Sequence, residues 1–147
     1  MRTKVSIIIV LLVLLSLAPF AHAIGENEFK VLTEVCIYEA SNASEQEKIA
    51  VIHVVLNRTK DRRFPSSITE VVYQKAQFSY TLLESLRVPT DSEVTACKRA
   101  VSKALKSPRH NYNHYYLNKT KYAIEEPQWA KNPKEVEQFD KHIFIRI

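Results

Sequence analysis

Hydrophobic positions recur at helical spacing through most of the chain. Phe29, Leu32, Val35 and Cys36 form one stripe, and the spacing predicts a helix over 26–40. A polar break, Ser41 to Ser44, follows. Ser44 and Glu47 stand at the spacing of a capping box, which predicts a second helix over 45–59. Its middle, Ile49 to Leu56, is apolar almost all round. A short strand has the same look, but the length and the polar cap favour a buried central helix. Phe64-Pro65 breaks the chain, and Ser67 with Glu70 repeats the capping pattern before a short helix, 68–74. Residues 77–81 read as a polar-aromatic loop. A further helix over 93–106 puts Val94, Cys97, Val101, Ala104 and Leu105 inward and Lys98, Arg99, Lys103 and Lys106 toward solvent, and Pro108 ends it. Beyond it the chain turns aromatic. His142 to Ile147 reads as a strand, with His114 to Leu117 as its partner. The expected fold is α+β, mainly α, with a small β-ribbon near the C-terminus.

The first 23 residues change that picture only by subtraction. Arg2 and Lys4 precede an apolar run from Val5 to Leu17, and Ala21-His22-Ala23 is a small-x-small cleavage site. This is the pattern of a secretory signal peptide. An uncleaved anchor is the alternative, although the run is short for a span of about 20 residues. The expected mature unit is 24–147, one domain large enough for a core of its own. Without Arg2 and Lys4, 19 basic residues face 16 acidic ones, a balance of +3. That modest charge suits an anionic surface such as a cell wall. The longest basic cluster, Lys60-Asp61-Arg62-Arg63, is too short to mark a nucleic-acid binder. The one glycine, Gly25, excludes a glycine-rich phosphate loop. Cys36 and Cys97 both fall on apolar stripes. Export would permit a disulfide, and two buried free thiols fit the pattern equally well.

The chemistry centres on Glu39, which continues the apolar stripe of the first helix three residues after Cys36. A carboxyl on a buried face keeps its proton toward neutral pH, as a general acid must. On position alone, a helix end running out into solvent is the favoured explanation. Gln77, Phe78, Ser79 and Tyr80, with Tyr116 and Asn118, bring amides, hydroxyls and flat rings together in a manner suited to sugars. Phe78 and one of the adjacent tyrosines, 115 or 116, also suit the core. His53 and His142 read as structural.

These segments together resemble the SleB/CwlJ-type cell wall hydrolases, a family with bacterial and phage members. Four blocks carry the resemblance, in order, from about Leu32 to Phe144. They are Tyr38-Glu39-Ala40 with Ile49-Ala50-Val51 and Val54 to Arg58; Arg63-Phe64-Pro65 with Val71 to Gln74; Gln77 to Thr81; and Tyr115 to Asn118 with Trp129 and Lys141 to Phe144. The resemblance implies a lysozyme-like or lytic-transglycosylase-like core that cuts peptidoglycan between N-acetylmuramic acid and N-acetylglucosamine. It makes Glu39 the catalytic acid. Asn57, Gln77, Phe78, Ser79, Tyr80, Tyr116 and Asn118 become the glycan-binding candidates. No metal or other cofactor is expected, and the partner is the glycan strand rather than nucleic acid. The protein is expected to be a monomer, exported to the periplasm or the outer wall, touching a membrane only through an uncleaved signal, as a phage endolysin or a wall-remodelling enzyme would be. A water-using muramidase, an amidase and a non-catalytic peptidoglycan-binding protein are the rival readings. The chain departs from the family motif at Ser41-Asn42-Ala43, which replaces Arg-Gly-Glu, at Glu47, which replaces a glycine, and at Tyr80, often Trp.

Overall fold

The structure, a computed structural model, describes residues 24–117, 119–122 and 125–147. The expected signal segment, 1–23, and Asn118 lie outside the described residues. Helix α1 spans Glu26–Ala40, α2 Glu45–Arg58, α3 Ile68–Tyr73 and α4 Asp91–Lys106. Strand β1 is His114–Leu117, α5 is the single turn Lys119–Tyr122, β2 is Glu135–Gln138 and β3 is His142–Arg146. The three strands form an antiparallel sheet in the order β1-β3-β2. The expected mainly helical α+β fold is the one observed, and no helix among the described residues is long and apolar enough to cross a membrane.

The caps explain where the helices begin. The Ser44 hydroxyl accepts from the Glu47 backbone N–H at the start of α2, Ser67 from Glu70 at α3, and Thr90 from Glu93 at α4. Each satisfies a backbone donor that the first turn leaves free. The cap at Thr90 starts α4 two residues earlier than the periodicity implied. Helix α2 is the hub, with Ala50 to Leu56 buried and the first six of them, Ala50 to Val55, essentially inaccessible. α1 and α4 pack on it and on each other. Cys36 and Cys97 form a disulfide between α1 and α4, with Cα atoms 5.6 Å apart, which decides the question their stripes left open.

Two expectations need correction. Leu105 is exposed rather than inward-facing. The buried stripe of α4 runs through Cys97, Ala100, Val101 and Ala104, and one further residue turns about 100° away from it. The ribbon has a third strand, β2, whose sequence Glu-Val-Glu-Gln is an exposed edge with no apolar alternation to reveal it. The central strand β3 is buried on both faces. Phe144 joins the helical core, while Ile143 and Ile145 pack with Ala130 on the other side.

Candidate active site

The last turn of α1 carries Tyr38 and Glu39 into a cleft of about 320 Å³. The 40–43 turn forms its floor. Arg87 stands at one rim, and Leu117, Tyr122, Lys141 and His142 face it from the sheet side. Helix and sheet meet here because β3 begins where α2 begins. The buried Glu47 carboxylate, 1 % exposed, accepts from the Lys141 and His142 backbone N–H groups at 2.9 and 3.1 Å through Oε1. Its Oε2 accepts from the Ser44 N–H and hydroxyl, both at 3.3 Å. One side chain thus caps a helix and pins the first residues of a strand.

Glu39 is held very differently. Its Oε2 accepts one hydrogen bond, from the Tyr115 hydroxyl at 3.1 Å. Its Oε1 is buried with no partner. Burial pushes the Glu39 carboxyl above its ordinary pKa, and the Tyr115 hydrogen bond offsets part of that rise. The phenol responds in turn. Burial first, then the Glu39 charge and the shared hydrogen bond, drive Tyr115 well above the usual phenol range, so it remains a donor. The T-shaped contact of Tyr115 with His142, ring centroids 5.5 Å apart, links Glu39 to the opposite wall. Burial also lowers the His142 pKa, against the raising influence of Glu47.

The turn that departs from the family motif is held by side chains of its own neighbourhood. Arg87 donates to the Ser41 hydroxyl at 3.1 Å, and Lys48, almost buried, donates to the Ala43 carbonyl. Arg87 is also paired with Glu93 at 2.8 Å.

The other candidates are dispersed. Asn57 is half-buried, and its amide donates to the His110 and Tyr112 carbonyls, the latter at 2.7 Å, tying α2 to the strand approach. Phe78 is core, under the Arg58 guanidinium at 5.5 Å. Tyr80 is buried and stacks on the cleft residue Tyr38 at 5.0 Å. Ser79 is exposed and Gln77 partly so, and neither lines the cleft. Tyr116 points to the opposite face of β1 from Tyr115. There its hydroxyl donates to Glu126 at 3.0 Å and its ring packs edge-on against Trp129. Sequence reasoning missed Tyr115, Tyr38, Arg87, Lys141 and His142 as cleft residues. Strand alternation says that Tyr115 and Tyr116 oppose each other. The register, with Tyr115 opposite Phe144, is what says which one faces the helices.

A family model described as Cell Wall Hydrolase matches residues 42–145. The chain belongs to the cell wall hydrolase family. It is therefore an enzyme that acts on peptidoglycan. The match begins just past Glu39, inside the turn where the motif departs. The fold is similar to the catalytic domain of Bacillus cereus SleB, with a TM-score of 0.70 and 19 % identity over 85 % of this chain and 94 % of that one. It is also similar to the catalytic domain of the germination-specific lytic transglycosylase SleB from Bacillus anthracis, with a TM-score of 0.66 and 18 % identity over 85 % and 98 %. No curated protein matches the chain.

Proposed function

We propose that this enzyme cleaves the bond between N-acetylmuramic acid and N-acetylglucosamine as a lytic transglycosylase, with Glu39 as its single general acid and base. The observation that carries this reading is the state of Glu39: raised by burial, anchored through Oε2, and with a buried Oε1 that has no partner among the described residues. A buried polar atom without a partner calls for a ligand or a proton. Oε1 fits a carboxylic O–H aimed at a glycosidic oxygen.

Glu39 gives that proton to the bridging oxygen as the C1–O bond breaks. The carboxylate then takes the proton of the muramic acid C6 hydroxyl while O6 bonds to C1. A 1,6-anhydro ring closes, Glu39 is protonated again, and neither water nor a second acid takes part. A hydrolase with two carboxylates needs a partner roughly 5–9 Å away. Among the described residues no other acid lines the cleft; just past its 40–43 floor, Glu45 is paired with Arg99 and Lys103 and Glu47 is engaged by four donors. That favours the single-acid route over a water-using muramidase. The description of the Bacillus anthracis neighbour as a lytic transglycosylase agrees with it. Tyr115 orients the acid, and the Tyr38–Tyr80 stack supplies an aromatic wall for the glycan. Action on the wall implies export of 24–147.

The test is mass spectrometry of peptidoglycan digested by the protein and by its Glu39→Gln form. Anhydro-muropeptides from the first and none from the second are expected. Reducing-end products from the unmodified enzyme would make water the nucleophile.

A further inference from the structure

Among the described residues, the Glu39 cleft holds one cation with no carboxylate partner, Lys141. Arg87, on one rim, is neutralised by Glu93 and further tied to Ser41. His142 is kept toward its neutral form by burial. Lys141, on the sheet side, has no carboxylate partner among the described residues. Its backbone is fixed, because its N–H donates to the buried Glu47 at 2.9 Å. Burial is the main cause that lowers Lys48 and His142, and the nearby Lys141 charge adds to it in both. Lys48 itself lies under the cleft floor with its ammonium on the Ala43 carbonyl. Two like charges beside one turn raise the local positive potential. The Glu39 shift itself comes first from burial and is offset by the Tyr115 hydrogen bond.

We propose that Lys141 is the subsite for a carboxylate of the peptide stem borne by muramic acid, so that the enzyme prefers stem-bearing glycan to bare glycan. This rests on the assignment of the cleft to glycan cleavage. The stem leaves the muramic acid through its lactyl ether, on the sugar whose C1 reacts, so it must pass a wall of the cleft that holds Glu39. Lys141 is the wall residue with a charge to offer it. Glu47 is then a positioning residue, holding the Lys141 backbone where the stem passes.

The test is a ratio. In the Glu39→Gln protein, the dissociation constants for stem-bearing strands are compared with those for strands stripped by an amidase whose newly exposed lactyl carboxylates have been converted to amides. The same comparison is made with Lys141→Gln, Lys141→Arg and Lys141→Glu added. The expected result is a preference for stem-bearing strands that falls about 10-fold with Gln, falls further with Glu, returns with Arg, and shrinks in high salt. Because each preparation is its own control, partial misfolding leaves the ratio intact. An unchanged ratio overturns the proposal, as does a preference that survives charge reversal. Failure of the glycan-cleavage reading registers separately, as absence of anhydro products from the unmodified enzyme on both substrates.

Discussion

Two glutamates, Glu47 buried and Glu39 half-buried, stand at the two ends of one short turn, and they are built in opposite ways. Glu47, at the start of α2, has four donors for two oxygens and ties a helix to a strand. Glu39, at the end of α1, has one donor and an oxygen with none. A buried carboxylate wrapped in donors is scaffold, because its charge is answered from all sides. A buried carboxyl left half unanswered holds its proton and waits for a ligand. The chemistry of the cleft follows from that inequality more than from the residue type, which is the same.

The sharpest way to break the comparison is to remove one acid at a time. Glu39→Gln should lower peptidoglycan cleavage by about 10³-fold, within the range of general acid catalysis, with the fold retained by circular dichroism. A loss under tenfold would move the acid elsewhere. Reduction of the Cys36–Cys97 bond, which closes a loop of 61 residues one turn before Glu39, should cost about 4 kcal/mol of unfolding free energy in urea. The pH profile of the surviving activity should keep its shape, since the disulfide belongs to the scaffold side. Glu47→Ala should cost about 3 kcal/mol, from four lost hydrogen bonds to a buried charge, two of them the return half of the capping box. A cost under 1 kcal/mol would place Glu47 outside the scaffold.

Smaller changes sharpen the contrast. Tyr115 lowers the Glu39 pKa, so Tyr115→Phe should shift the alkaline limb of the activity profile upward. The rate should fall roughly 3- to 10-fold, the scale of one hydrogen bond. A downward shift would contradict the assigned donor. Smallest is a stability effect. A carboxyl whose folded pKa lies above its ordinary value of 4.5 stabilises the fold fully below that value and loses the contribution as pH rises through the folded pKa. Glu39→Gln should therefore gain stability relative to the unmodified protein between acid and neutral pH, seen as a diverging pair of Tm curves.

The helices were legible because their signals are local. Ser44 with Glu47 and Ser67 with Glu70 announce their caps, and the apolar run of α2 announces a hub. Glu39 was legible as an anomaly on a buried stripe, and the resemblance to cell wall hydrolases gave it a role. The rest of the cleft was not legible. Tyr115 is 76 residues from Glu39 and meets it only through the register of β1 on β3. The Gln77 to Tyr80 segment looked like a sugar site because its residue types suit sugars. Packing instead put Phe78 in the core and left Tyr80 to support Tyr38 from behind. Asn57 looked available, yet its amide is taken by two backbone carbonyls that only the folded chain brings near.

The sequence by itself determined helices α1 to α4, the caps at Ser44 and Ser67, the strand character of β1 and β3 and the one carboxyl that did not belong on its stripe, since each depends on residues within a few turns of one another. It also placed Cys36 and Cys97 on inward faces without joining them. Only the tertiary structure decided that they bond and that Tyr115 rather than Tyr116 reaches Glu39. Only the fold showed that Glu47 answers a strand start 94 residues away, and that Lys141 enters the cleft with its charge unanswered. Those outcomes depend on register and on desolvation, and both exist only once the sheet has closed against the helices.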